Sequence, residues 1–466
     1  LFMYLPLLFH RLKRVDAKAK FVLIAFIQRY GGRGAVPASS LRRANDLGLP
    51  QRELGRELAQ LVREGYLLEE AVTGQQAGRP NRTYSISSHV MELVLRSDKR
   101  TTAHVDLIKH VIEGPDVLAI RPNDNGAQSG PRLVWIDGKA VPKRSNRLSL
   151  SNRLLLAVLL AHSDDFGIVR DLGNVDLCSL VGLEATSLKQ RIRKLIDLGF
   201  IRRHVPGIAS SVFSKKLKSI YFLNLNHPQL GGGESNLVLI HQSDIRSGDG
   251  RDEYVRGIVG DIRGGGQLGC RTPSAVISLL THAPMAVFSQ LELKLCEWAL
   301  EHLASGQIDA QNVSTALHHE IDGFFRAVDV PVPASPDETL RERTQRVSLI
   351  EAAHGSRNDV VNHFCYLTRL LADECWERYA AGGKIPFSCE DLVLIPTHLP
   401  LERRCFVFVV RKGAVGDFQQ HCVMTESQGE LSLIGVRLET EIAPELRFES
   451  GLQVRAACEP ITQPQG

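Results

Sequence analysis

Apolar residues recur at i, i+4, i+7 and i+8 in two separate stretches of the chain. Leu54, Leu58, Leu61 and Val62 form the first set, and Leu188, Ile192, Leu195 and Ile196, each 134 positions later, form the second. That spacing lines one face of a helix. Both stretches close on glycine, an aromatic residue and an aliphatic one, in LVREGYL (61–67) and LIDLGFI (195–201). Upstream, LGL at 47–49 and VGL at 181–183 repeat at the same offset. Gly48 and Gly182 therefore fall where one short helix stops and the next begins, a place for a residue tolerant of positive φ.

The flanking patterns extend the repeat. In the first block, DAKAKFVLIAFIQRY (16–30) predicts an amphipathic helix. SSLRRAND (39–46) predicts a short one with serines to cap it, and PQRELGRELAQLVREG (50–65) a third, with proline at its start and glycine at its end. YLLEEAV and RTYSIS then read as strands around the Gly/Pro/Asn-rich TGQQAGRPN. The second block gives helices over 149–162, 174–182 and 184–199, with a small extra strand within 164–173. FIRRHV and KSIYFLNL form a closing hairpin around PGIASSVFSKKL.

This order of helix, turn, helix, helix and hairpin resembles the winged helix-turn-helix, and the LVREGYL and LIDLGFI endings are similar to the recognition-helix exit of many bacterial winged-helix regulators. The resemblance covers about 70–80 residues per block, about a third of the chain in all. It implies that each third helix enters the major groove of DNA while the hairpin loop, the wing, touches the backbone or minor groove. With the leucines turned inward, the first third helix presents Gln51, Arg52, Arg56, Gln60 and Arg63. The second presents Thr186, Ser187, Lys189, Gln190, Arg193 and Lys194. Arg and Gln suit bidentate contacts to base edges, whereas Lys, Ser and Thr suit phosphate. The wings add Arg79 and Arg82 in one block and Lys215, Lys216 and Lys218 in the other, with Arg202 and Arg203 on the strand leading in. Glu53, Glu57 and Glu64 on the first third helix oppose a polyanion, which makes the second block the stronger candidate.

Charge follows the same division. Residues 11–100 hold 17 Lys/Arg against 9 Asp/Glu, residues 141–218 hold 14 against 6, and from 226 onward the count is 21 against 32. Two basic blocks precede an acidic half, so a polyanion suits the former and protein or small molecules the latter. Nine cysteines without a C-x-x-C pair fit free thiols in a reducing cytoplasm. LFMYLPLLF (1–9) is too short to span a bilayer and is broken by Pro6; in a chain that begins with Leu1, one reading of this end is a trimmed or mis-started segment.

The remaining stretches carry weaker signals. Residues 91–146 and 227–272 are rich in Gly, Pro, Asn and Ser and read as linkers, the first long enough to tether the blocks without fixing their spacing. The glycine triplets at 231–233 and 264–266 lack the Lys-Ser/Thr of a phosphate loop. Residues 273–384 have helical spacing and 385–466 alternate as strands. HHE (318–320) lacks the histidine pair of a metalloprotease helix. His363, Cys365 and Cys375 have no metal-ligand spacing, and SGDGRDE (247–253) does not keep the order of a calcium loop.

The expectation is an α+β multi-domain protein with an N-terminal segment (1–15), two winged helix-turn-helix domains (16–90 and 147–226), a helical region (273–384) and a small β-rich C-terminal region (385–466). It is read as a non-catalytic protein without cofactor or metal that binds double-stranded DNA, most simply a transcriptional regulator. A replication initiator or other DNA-handling protein of a mobile element, and a winged-helix adaptor for protein, are the alternatives. The C-terminal half is open to dimerisation, partner docking or ligand sensing.

Overall fold

A computed structural model of the chain describes residues 4–31, 34–37, 51–72, 81–96, 102–113, 133–136, 139–142, 148–230, 236–244, 254–264, 272–305, 315–326, 340–380, 391–396, 403–411, 422–427, 431–436, 439–443, 447 and 452. The fold is mixed α+β and divides into two compact units. One is built from Leu1–Arg202 and Tyr221–Ser235, the other from Arg203–Ile220 and Asn236–Leu452. Among the described residues no helix is long and apolar enough to cross a membrane.

The first unit opens with a short helix, α1 (Leu5–Leu8). The first repeat follows as α2 (Ala17–Tyr30), β1 (Val36–Pro37), α3 (Gln51–Arg63), β2 (Leu67–Val72) and β3 (Asn81–Ile86). Next come α4 (Ser88–Arg96), α5 (Val105–Glu113) and a hairpin of β4 (Leu133–Ile136) and β5 (Lys139–Pro142). The second repeat is α6 (Leu150–Ala161), β6 (Ile168–Val169), α7 (Asn174–Val181), α8 (Ala185–Asp197), β7 (Ile201–Val205) and β8 (Ile220–Leu223), of which residues 203–220 count with the second unit. Asp16 starts α2 by accepting from the amides of Lys18 and Ala19, both at 2.9 Å, and Ser149 starts α6 through Asn152. The sheets share one order, β1-β3-β2 in the first repeat and β6-β8-β7 in the second. The short helix expected over 39–46, Gly48 and the loop 73–80 lie outside the described residues.

The matching ends of α3 and α8 have one cause. Gly65 and Gly199 take φ of 76° and 80°. The amide of Gly65 donates to Val62 and that of Tyr66 to Leu61, at 3.0 and 2.9 Å; Gly199 and Phe200 do the same to Ile196 and Leu195, at 2.9 and 3.0 Å. This is the paired hydrogen bonding of a Schellman ending, and it turns the chain so that Tyr66 and Phe200 are buried. A Cβ on Gly65 meets nothing within 4 Å, so only its backbone conformation demands glycine. Gly65→Ala is therefore expected to cost about 1 kcal/mol in urea unfolding; an unchanged midpoint would mean that the helix ends some other way in solution.

Part of the expected tether at 91–146 is folded. Within it α5 buries Leu107, Ile108, Val111 and Ile112 and packs against both α2 and α6, which also pack on each other. The repeats consequently share a single apolar core. The N-terminal segment joins the same core through Tyr4, Leu7 and Leu8, with α1 against α4 and α6. Two basic side chains are buried there, each at the carbonyl end of a helix. Arg153 of α6 lies over the Phe21 ring at 4.8 Å and donates to the carbonyls of Val111 and Ile112, both at 2.8 Å, at the end of α5. Lys20 of α2 donates to the carbonyls of His10 at 2.7 Å and Leu180 at 2.5 Å, the latter in the last turn of α7. Such carbonyls lack helical partners and carry the negative end of the helix dipole.

Burial pushes Lys20 down to about 7 from the usual lysine range. Between that value and the ordinary 10.5, the unfolded chain binds the proton that the folded chain has released, so this residue's contribution to stability grows as pH rises and is lost as pH falls through about 7. Unfolding midpoints between pH 7 and 9 are expected to rise more steeply in the wild type than in Lys20→Met; parallel profiles would refute this.

The second unit centres on β9 (Asn236–Asp244), followed by α9 (Tyr254–Arg263), α10 (Ser274–Leu280), α11 (Met285–Ala304), α12 (Thr315–Phe324) and α13 (Leu340–Ala380). The strands β10 (Leu392–Ile395), β11 (Arg403–Arg411), β12 (Cys422–Ser427) and β13 (Leu431–Val436) complete it. The sheet order is β10-β11-β9-β12-β13, antiparallel except for β9 with β12. The middle strand thus comes from the stretch 227–272 that reads as a linker. Leu237, Phe408, Val410, Leu392 and Leu394 join the helices in one core, while Val238, Ile240, Val407 and Val409 on the opposite face are also buried. Trp298 of α11 anchors that core, edge-on to Phe324 at 5.3 Å, with its indole N–H donated to Glu320 at 2.9 Å. Arg357 ties α13 to α12 through the Asp322 carboxylate at 2.6 Å and the carbonyls of Asp322 and Arg326, both at 2.8 Å.

Candidate nucleic-acid interface

Helix α8 presents the face that its sequence predicts. Leu188, Ile192 and Leu195 are buried, and Thr186, Lys189, Gln190, Arg193 and Lys194 are exposed, with Ser187 half-buried. Among the described residues none of these six polar side chains is held by a hydrogen bond or ion pair. Arg191, pointing the other way, donates to Ser149 Oγ and Asn152 Oδ1, each at 3.0 Å, and so fixes α8 to the start of α6. The acids of this segment, Glu184 and Asp197, stand at the two ends of the helix.

Helix α3 is chemically different. Arg56 is exposed but gives Nη2 and Nε to Glu57 Oε1, at 2.7 and 3.1 Å; Arg63 pairs with Glu64 at 3.2 Å. Gln60 donates to the Arg14 carbonyl at 3.0 Å, and Arg82, on β3, pairs with Glu69 of β2 at 2.7 Å. Every described member of the first candidate set is already engaged within the first unit. Glu57, expected on the outer face, is instead fully buried, and its carboxyl is raised first by that burial, with Arg56 opposing. It occupies the position equivalent to Arg191, so the repeat uses this site for an inward polar contact. Gln51 and Arg52 fall in the first turn of α3, but their side chains, like all of Arg79, lie outside the described residues.

The hairpin of the second repeat requires a correction. Arg202 and Arg203 are only 4% and 6% exposed, so neither reaches a ligand outside the fold. Strand β7 is covered on both sides, and Arg203 lies in the field of Glu292 on α11; burial still pulls it down to about 10. The same burial, with the neighbouring Arg203, lowers His204 to about 4. Lys215, Lys216 and Lys218 are exposed, on a loop whose Val212, Phe213 and Leu217 are embedded in the core of the second unit. Gln290 clamps this loop through the carbonyls of Pro206 and Lys218, at 2.9 and 3.1 Å. The amides of Ser214 and Arg326 add bonds to Phe324 and Val212, both at 2.9 Å. The lysines are carried on a fixed ledge.

The remaining suggestive clusters serve the fold. In HHE, Glu320 receives the Trp298 indole while His318 and His319 stand edge-on at 6.3 Å. Burial holds His363 down near 4 and the Cys365 thiol up near 11, and raises Cys296. Among the described residues no group of three His, Cys, Asp or Glu side chains is placed to hold a metal ion. The 247–253 stretch lies outside the described residues. Lys20 escapes a reading by residue type, since lysine ordinarily marks a solvated face. The available signal is that Leu23, Ile24 and Ile27 follow it at i+3, i+4 and i+7, which puts it on the core side of α2.

Compared with protein-family models, with curated proteins and with solved structures, the chain matches none.

Proposed function

We propose that the chain binds double-stranded DNA sequence-specifically, that its two repeats are winged helices, and that α8 is the reading helix, in a non-catalytic transcriptional regulator of a reducing cytoplasm. The observation that carries this reading is the contrast between the helices. On α8, Lys189, Gln190, Arg193 and Lys194 are exposed and unengaged; on α3 the cations Arg56 and Arg63 are paired with carboxylates. Desolvating an arginine that already has a carboxylate partner gains little against a base or phosphate, whereas an unpaired one gives up only its water. In this reading the first repeat supports the second more than it reads DNA, and the lysines of the 206–219 loop meet the phosphate backbone.

The test is binding of the purified protein to a duplex that it selects from a random pool, and to a scrambled duplex of equal length, across a salt series. We expect a large preference for the selected duplex and a logarithmic salt slope corresponding to about five phosphates. Equal, salt-insensitive binding to both would refute the proposal and favour a protein-docking role for the repeats. Lys215→Ala is expected to weaken all duplexes about equally and to lower the salt slope by about one; a change confined to one sequence would contradict the backbone role. Footprints on short direct repeats at a replication origin would favour an initiator over a regulator.

A further inference from the structure

We infer that Lys20 is a positioning residue for α8, acting from the first repeat upon the turn that precedes the reading helix. The inference rests on the proposed reading of α8. The turn between α7 and α8 is held at two backbone points. At Leu180 the carbonyl accepts from Lys20 Nζ, whose other described bond is to the His10 carbonyl. At Gly182 the backbone is left-handed, with φ of 75°, and a Cβ would sit 2.7 Å from the Val15 carbonyl. Residues 15–20 therefore press on the turn at Gly182 and grip it at Leu180, and α8 begins three residues farther on, at Ala185. A side chain buried to 1% exposure and spent on two backbone carbonyls has no solvent role. Its length brings an N–H donor from one repeat to the end of a helix in the other, which no apolar residue supplies.

The consequence is a division of labour inside one core, in which the angle of α8 depends on contacts that never touch DNA. Lys20→Met keeps the volume and removes the donor. It is expected to leave a cooperatively folded protein whose affinity for the selected duplex falls about tenfold, with less than about a twofold change on a scrambled duplex. Arg193→Ala should then cost less than about half as much in the Lys20→Met background as in the wild type, since a displaced helix has already lost that contact. In the free protein, amide exchange should quicken over residues 180–190 and stay unchanged in α11. Should Lys20→Met fail to fold, Lys20→Gln, whose amide ends one bond short of the position of Lys20 Nζ, is measured in its place with the same expectations. Normal discrimination by the variant, or equal and additive costs of Arg193→Ala in the two backgrounds, would overturn the role of Lys20 alone. A wild-type protein that does not discriminate the selected duplex would overturn the reading of α8, and this role with it.

Discussion

Arg193→Ala combined with Lys194→Ala is expected to weaken binding to the selected duplex by about 2–4 kcal/mol, from one base-edge contact and one phosphate contact. Both side chains are exposed on the outer face of α8 and have no partner in the folded chain among the described residues, so their removal leaves the protein's own stability nearly unchanged. The double substitution on α3, Arg56→Ala with Arg63→Ala, is expected to change binding by less than about 0.5 kcal/mol, because each of those cations already has a carboxylate at 2.7 or 3.2 Å. Titrations by fluorescence anisotropy at fixed salt measure both. Equal losses in the two pairs would mean that the α3 ion pairs open on binding and that both repeats read DNA.

The largest expected loss of stability comes from a residue with no part in binding. Arg153 satisfies two carbonyls at the end of α5 from within a core where it is 3% exposed. Arg153→Met fills part of the space but leaves both carbonyls without donors, and is expected to cost about 3–5 kcal/mol. Because α5 packs against α2 and α6 together, the loss should appear in both repeats as one transition. Urea unfolding followed by site-specific probes in α3 and α8 distinguishes the outcomes. Separate transitions for the two helices, or a cost below about 1 kcal/mol, would show that the shared core is not one cooperative unit.

The repeats were legible because their period is written in residues that have no alternative. The glycines at 65 and 199 need positive φ, and the apolar sets on α3 and α8 can bury only one face. Their outer faces were legible for the same reason, which is why Lys189, Gln190, Arg193 and Lys194 stand where expected. Glu57, Arg202 and Arg203 lie elsewhere than their residue types suggest, because long polar side chains enter a core when a partner or a second layer meets them. Helix α5 and strand β9 were hidden by composition. Glycine- and proline-rich neighbours outweigh five apolar positions in α5 and four in β9, and whether such a short apolar run is buried depends on elements far away in sequence. The engagement of Val212 and Phe213 by α11 and α12 belongs to the same class, since no local pattern in PGIASSVFSKKL announces a partner near residues 290 and 324.

Strand β9 also sets a timetable. Leu237 pairs with Val410, and Val238 with Cys422, so both neighbours of the central strand are synthesised about 170–185 residues after it. At ordinary translation speeds of about 5–20 residues per second, an apolar strand with two open edges waits roughly 10–40 s for its partners, whereas the shared core of the repeats has by then all its pieces. Pairing at such separation is slow even in the finished chain. A nascent or truncated chain that stops before residue 403 therefore has NLVLI with neither neighbour present, and that segment is where misassembly between copies is expected to begin.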